Sequence, residues 1–218
     1  HAMAALPAFD LLLSRRGLTG EAATHTATAP VRHWFNIDRK HGLNEASRAF
    51  GDAVLRHVSS NNIPHVVLMA CWSYYDRPEV QEAILKTVRD LRHAGCQAWI
   101  VTQVPFQPCN VPRAIFRVAL FGEDESLYSA SPGTWNGIAG EGQGFLEALN
   151  VAGAKIIDPR PEFLDPVRNA YRLSNGGRTL YVDDNHLTKW GAECMLFPVF
   201  DQHFASDLDI LKVSLAGQ

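Results

Sequence analysis

The sequence predicts an α/β protein, a three-layer α/β/α sandwich in which a mainly parallel sheet lies between two layers of helices. Two observations support this prediction. Helix-like and strand-like segments alternate along the chain. Two strand-like segments, 64–72 and 96–104, are short and strongly apolar, which is typical of the buried strands of such sheets. No internal repeat interrupts the alternation, so residues 1–218 are interpreted as one domain.

The first helix is predicted over residues 2–16. Apolar side chains recur at helical spacing from Met3 to Leu13, and Gly17 is a suitable residue to end the helix. Pro7 fits this helix only if the helix begins about one turn earlier, because proline has no N–H to donate inside a helix.

Two further helices are predicted before the second strong strand. Residues 43–59 carry apolar side chains on one face. The next helix begins near Asp76, a suitable N-cap, with Pro78 and Glu79 in its first turn, and Gly95 ends it.

The remaining elements complete the alternation. Weaker strands are predicted at 20–32, 154–158 and 179–182, and helices at 112–120, 143–152 and 188–205. Residues 106–150 are interpreted as an irregular, lid-like insertion, because long excursions after a parallel strand often form pocket walls. In such sheets the ligand site lies at the carboxyl ends of the strands.

The composition excludes several functional classes. The 20 basic and 23 acidic residues give a formal net charge of −3, which does not favour a nucleic-acid partner. No apolar run approaches the roughly 20 residues that cross a bilayer, and no signal peptide is recognised. The four cysteines are widely spaced and form no Cys/His ligand pattern, so we expect no metal site.

The segment Leu180–Ala192 contains the most informative pair of residues, Asp183 and His186. An aspartate three residues before a histidine, in a loop that enters a helix, can bind the imidazole Nδ1–H. This contact holds the tautomer and stabilises the imidazolium when Nε2 takes a proton from a nucleophile. The pair is therefore predicted to be the orienting acid and the base of a catalytic triad.

The same segment closely resembles the last block of the SGNH (GDSL-like) hydrolase superfamily. The pattern Tyr-x-Asp-x-x-His-Leu-Thr-x-x-Gly-Ala is most similar to SGNH domains fused to acyltransferase family 3 membrane proteins. Three earlier segments resemble that family's strands in the same order, namely 66–74, 101–105 and 156–159. The resemblance implies an SGNH/flavodoxin-like α/β fold.

The resemblance also implies a function. Members O-acylate cell-surface polysaccharide, peptidoglycan or lipopolysaccharide, so we expect an O-acyltransferase or a carbohydrate esterase without a cofactor. The implied partners are an acyl donor, a carbohydrate acceptor and a membrane acyltransferase domain in the same parent chain. The implied location is periplasmic, or on the extracytoplasmic face of the membrane. The alternative is a non-catalytic carbohydrate-binding or assembly module on the same scaffold.

The nucleophile of this family lies in Gly-Asp-Ser-His, and the chain opens with His1 followed by an Ala- and Leu-rich stretch. The resemblance implies that the serine lies immediately before His1, with the first strand of the sheet before it. We therefore expect a slot in the sheet and no activity from residues 1–218 alone. Alternatively, residues 1–4 are vector-derived. Neither Gly51-Asp52-Ala53 nor Ser73 is a convincing nucleophile inside the chain.

The sequence departs from the family after the third strand of the fold. Typical members carry Gly-x-Asn-Asp there, whereas this chain has Cys71 followed by Trp72, Ser73 and Tyr74. The oxyanion donors are therefore unassigned. Trp72, Ser73 and Tyr74 are expected at the substrate site, where the aromatic rings either stack on a sugar or pack at the rim. Asp158 and Arg160 either bind substrate or form an exposed ion pair.

Overall fold

The structure is a computed structural model that describes residues 1–35, 41–75, 77–133 and 143–216. Its helices are α1 (Ala2–Arg16), α2 (Ala46–Ser60), α3 (Pro78–His93), α4 (Val111–Phe121), α5 (Gln143–Ala152), α6 (Arg160–Phe163), α7 (Lys189–Gly191) and α8 (Phe197–Ala216). Its strands are β1 (His65–Met69), β2 (Gln97–Val101), β3 (Lys155–Ile157), β4 (Leu164–Asp165), β5 (Ala170–Tyr171), β6 (Ser174–Asn175) and β7 (Arg178–Thr179).

The central sheet has three parallel strands in the order β1–β2–β3. Met69 pairs with Val101, and Val101 pairs with Ile157, so the carboxyl ends of the three strands lie side by side. The remaining strands form two short antiparallel pairs, β4 with β5 and β6 with β7. The predicted α/β class with a mainly parallel sheet is therefore confirmed.

Both faces of the sheet are covered, which gives the three predicted layers. Along β2, Ala98 and Ile100 pack in one apolar cluster with side chains of α3 and α5, whereas Trp99 and Val101 pack in a second cluster with α1 and α8. This alternation follows the two-residue period of a strand. None of the helices in the described part of the chain is long and apolar enough to span a membrane.

The helix ends that the sequence predicts are largely observed. Helix α1 begins at Ala2, one turn before Pro7, and Gly17 ends it in the left-handed conformation with φ 64°. Helix α3 begins at Pro78 as expected, and the predicted N-cap Asp76 lies outside the described residues. The predicted last helix is divided, because a π-helical turn, Ala192–Leu196, separates α7 from α8.

The strand predicted at 20–32 is wrong. The described chain has no strand between α1 and α2, and β1 pairs with β2 alone among the described strands. Side-chain contacts fix this segment instead, since Arg32 binds Asp52 at 2.6 Å and also pairs with Asp90. Among the described strands, β1 therefore forms one edge of the sheet, and the expected slot stays a prediction.

Candidate active site

The loop between β7 and α7 brings Asp183 and His186 together. The Asp183 Oδ2 atom lies 2.7 Å from His186 Nδ1. The other carboxylate oxygen, Oδ1, accepts the backbone N–H groups of Asn185 at 2.9 Å and of His186 at 2.7 Å. Turns in which aspartate binds the backbone two residues ahead are a standard local motif, and this one explains the three-residue spacing.

These contacts also set the charge of the pair. Burial of the Asp183 carboxyl would by itself raise its pKa, yet the backbone N–H groups of Asn185 and His186 and the His186 ring together hold it below its ordinary value. An ionised carboxylate can only accept, so the shared proton lies on His186 Nδ1. The Nε2 lone pair is then free to act as a base.

The carboxyl-terminal side of the loop is held by Thr188 and Gly191. The Thr188 hydroxyl accepts the Gly191 backbone N–H at 2.9 Å and donates to the Thr179 carbonyl at 3.1 Å. A Cβ at Gly191 would lie 2.1 Å from the carbonyl oxygen of Leu180, so this contact requires glycine. The Thr-x-x-Gly part of the sequence motif therefore fixes the polypeptide on both sides of the Asp–His pair.

The loop after β2 holds the same segment from the opposite side. The backbone N–H of Gln107 donates to the Asp184 carbonyl at 2.8 Å, and that of Val111 donates to the Asp183 carbonyl at 3.0 Å. Helix α4 therefore begins directly against the Asp183 backbone. The sequence gives no sign of these contacts, because they join residues more than 70 positions apart.

The side chain of Gln107 is a positioning group that sequence reasoning missed. It is 1% exposed, its Oε1 accepts the Ala130 N–H at 2.9 Å, and its Nε2 donates to the Tyr181 hydroxyl at 3.2 Å. One buried amide thus connects the segment preceding Asp183 with the loop after β2 and with the loop that contains Ala130. A glutamine in an irregular, proline-rich segment after a strand end was the available signal, but no motif marks it.

The family of the chain follows from comparison with known proteins. The family model described as the SGNH domain fused to AT3 domains matches residues 1–202. The chain belongs to this SGNH family. One solved structure similar to this SGNH domain is the Salmonella ser. Paratyphi A lipopolysaccharide acetyltransferase periplasmic domain, with a TM-score of 0.69 and 15% sequence identity. The match covers 92% of this chain and 78% of that one. No curated protein matches this chain.

In this SGNH domain the three residues expected to bind substrate lie in the turn after β1, where one of them is buried and two are exposed. Trp72 is 5% exposed, and its indole N–H donates to the Val101 carbonyl at 2.8 Å, so its ring packs inside and is not open to a sugar. Ser73 and Tyr74 are exposed, Tyr74 by 52%. The Ser73 backbone N–H donates to the Gln103 side chain at 3.1 Å, which occupies that donor.

The His1 side chain lies beside that of His186. Its ring centroid is 4.7 Å from that of His186. The start of α1 therefore lies beside the Asp183–His186 pair.

Asp158 and Arg160 lie after β3, at the same edge of the sheet, and they bind each other. Arg160 Nε and Nη2 lie 2.7 Å and 2.6 Å from the two carboxylate oxygens of Asp158. The Thr102 hydroxyl donates to the same carboxylate at 3.1 Å. The ion pair that the sequence suggested is therefore observed, and substrate binding by the same two residues stays a prediction. Across the described residues, no cluster of His, Cys, Asp and Glu is arranged to hold a metal ion.

Proposed function

We propose that this SGNH domain carries out serine-dependent acyl transfer to a carbohydrate hydroxyl, as an O-acyltransferase or a carbohydrate esterase. The observation that carries the proposal is the 2.7 Å contact between Asp183 and His186, with the carboxylate held in place by two backbone N–H groups. The family of the chain supports the same chemistry, as does its likeness to the periplasmic domain of a lipopolysaccharide acetyltransferase.

The proposed nucleophile is a serine directly before His1 in the parent protein. The proposal is supported by the position of His1, whose imidazole centroid is 4.7 Å from that of His186.

The proposed reaction has two steps. The serine hydroxyl attacks the acyl carbon while His186 Nε2 takes its proton, and Asp183 stabilises the resulting imidazolium. The tetrahedral intermediate expels the leaving group, which takes the proton from His186, and an acyl-enzyme remains. A sugar hydroxyl, or water in an esterase, then attacks the acyl-enzyme, again with His186 as the base. Attack by the sugar hydroxyl yields the O-acylated product and regenerates the serine.

The acceptor site is proposed at the turn after β1, beside His1. Tyr74 offers the exposed aromatic face on which a sugar ring can stack, and the Ser73 hydroxyl is accessible beside it. The buried Trp72 supports this turn from below through its hydrogen bond to Val101. The lid-like role expected for the insertion 106–150 stays a prediction, and residues 134–142 of it lie outside the described residues.

The proposed setting is the extracytoplasmic side of a membrane. The family model describes SGNH domains fused to AT3 domains, and the structural neighbour is a periplasmic domain. A membrane acyltransferase domain of the same parent protein would then supply the acyl group, and a surface polysaccharide or peptidoglycan would accept it.

The test uses the parent protein and p-nitrophenyl acetate. The residue before His1 is identified first, and any residue other than serine overturns the proposed nucleophile. We expect His186→Ala to abolish p-nitrophenol release, whereas His203→Ala, which alters an exposed histidine of α8, keeps the wild-type rate. An equally active His186→Ala variant would remove His186 from the mechanism. Carbohydrate binding without turnover would favour the non-catalytic module instead.

A further inference from the structure

An apolar surface that the proposed reaction does not use lies on α4. Among the described residues, nine large hydrophobic side chains are exposed, and four of them lie close together in sequence. These four are Phe116 at 65%, Leu120 at 60%, Phe121 at 61% and Leu127 at 72% exposure. These exposed side chains do not contribute the stabilisation that their burial would give. Clusters of exposed apolar side chains of this kind mark interaction sites.

The exposed side of α4 is a continuous stripe that combines these apolar residues with two arginines. Arg113, Phe116, Arg117, Leu120 and Phe121 recur at spacings of three and four, which places them on one side of the helix, and all five are exposed. We call these five residues the α4 stripe. The opposite side of the helix is buried through Val111 and Ala114, so the stripe is not needed to hold α4 in the fold.

The charged residues near the α4 stripe differ in whether their side chains are paired. Helix α4 contains no acidic residue. The Arg117 guanidinium binds Glu123 at 3.1 Å, whereas the Arg113 side chain makes no hydrogen bond or ion pair within the described part of the chain. The acidic residues that follow α4 are also engaged, since Asp124 pairs with Arg168 and Glu125 binds the backbone of Leu173 and Ser174. The guanidinium of Arg113 is therefore available to an external anion.

Charge argues against a second copy of the chain as the partner of this surface. An isologous contact would bring two copies of a stripe that contains arginine and no acidic residue against each other. At about 200 Å² per side chain, the four exposed residues offer roughly 500 Å² of apolar surface together. A helix of 11 residues with Phe and Leu between arginines instead has the composition of helices that lie in the headgroup region of a bilayer.

We propose that the α4 stripe, together with Leu127, docks this domain on the surface of an anionic lipid bilayer. Phe116, Leu120 and Phe121 would enter the boundary between headgroups and acyl chains, while Arg113 binds lipid phosphate. Because the Val111 N–H binds the Asp183 carbonyl, this docking holds the Asp–His loop near the membrane. Lipid binding does not depend on the proposed acyl transfer and is measured without turnover.

The test measures co-sedimentation of the 218-residue chain with sucrose-loaded phosphatidylcholine vesicles, with and without phosphatidylglycerol. We expect binding to the anionic vesicles, and at least roughly tenfold weaker partitioning for the double variant Phe116→Ser, Leu120→Ser. The matched control Val151→Ser removes an 83% exposed valine from α5 and should bind like the wild type. Arg113→Gln should weaken binding at low salt and have little effect at about 1 M salt, where charges are screened.

Several results would overturn the proposal. One is the absence of wild-type binding to anionic vesicles, and another is equal binding by the double variant and the control. Light scattering after size exclusion supplies a third: a wild-type dimer that the double variant converts to a monomer would assign the stripe to a second copy. Circular dichroism checks that both serine variants are folded, as expected for exposed positions.

Discussion

Gly191→Ala tests how the loop that carries Asp183 and His186 is held. Glycine in a helix is usually less stable than alanine by about 0.5–1 kcal/mol, so on helix propensity alone this substitution would stabilise the protein. The structure predicts the opposite. The new Cβ would lie 2.1 Å from the Leu180 carbonyl oxygen and 2.9 Å from its carbon, both below the 3.0 Å that real Cβ contacts respect.

The cost follows from the required movement. The two backbones must separate by almost 1 Å, because neither the helix nor the carbonyl can yield as a flexible side chain does. The Leu180 carbonyl also accepts the Thr188 N–H at 2.9 Å, and separation weakens this bond. Overpacking of this kind costs typically about 1–3 kcal/mol, to which the loss of part of one hydrogen bond adds about 1 kcal/mol. After the helix gain is subtracted, we expect a loss of about 2 kcal/mol.

The assay is thermal and urea unfolding followed by circular dichroism, with Gly144→Ala as the matched control. Gly144 lies in α5, and a Cβ built there meets nothing within 4 Å, so the control should be neutral or slightly stabilised. For a chain of this length, about 2 kcal/mol lowers Tm by about 4–8 °C. Equal unfolding free energies for the two variants would refute the assigned role of the Leu180 contact.

Two further predictions concern the same loop. Asp183→Asn should lower the rate of p-nitrophenyl acetate turnover by the parent protein about 10³–10⁴-fold, because the imidazolium loses its carboxylate; an unchanged rate would exclude the triad role. Since the folded-state pKa of Asp183 is lowered, its ionisation stabilises the fold above the ordinary value of 3.8, and this contribution is lost as the pH falls through the folded value. The stability difference between wild type and Asp183→Asn should therefore shrink in acid urea titrations. Gln107→Leu should lower the free energy of unfolding in urea by about 2–5 kcal/mol, because it leaves the Ala130 N–H and the Tyr181 hydroxyl unpaired. The control Gln202→Leu alters an exposed position of α8 and should be neutral.

The sequence was most informative where the structure is determined locally. Helix α1 ends at Gly17 because a left-handed residue is needed there, and the strong strands are found because their apolar runs are short and continuous. The segment 20–32 was predicted wrongly for the converse reason. Its weak strand propensity has no effect without a partner strand, and the ion pairs of Arg32 with Asp52 and Asp90 determine its position instead.

The same difference between local and long-range contacts applies to the candidate site. The Asp183–His186 contact is readable from the sequence because a three-residue turn is enough to form it. The contributions of Gln107 and Trp72 are not readable, since each depends on a partner in another part of the chain, Tyr181 and Val101 respectively. Trp72 shows this most clearly. The sequence left its ring either stacking on a sugar or packing at the rim, and only the structure shows the ring buried, with its N–H bound to the Val101 carbonyl.

Helix α4 connects the candidate site with the proposed membrane surface, yet the two can be altered separately. Its first residue, Val111, is fully buried and binds the Asp183 backbone, whereas Phe116 and Leu120 are mostly exposed. Substitutions in the α4 stripe therefore leave the buried contacts of the helix intact, and the geometry of the Asp–His pair with them. If docking serves acyl transfer, stripe variants will lose transfer from a membrane-bound donor but keep hydrolysis of a soluble ester.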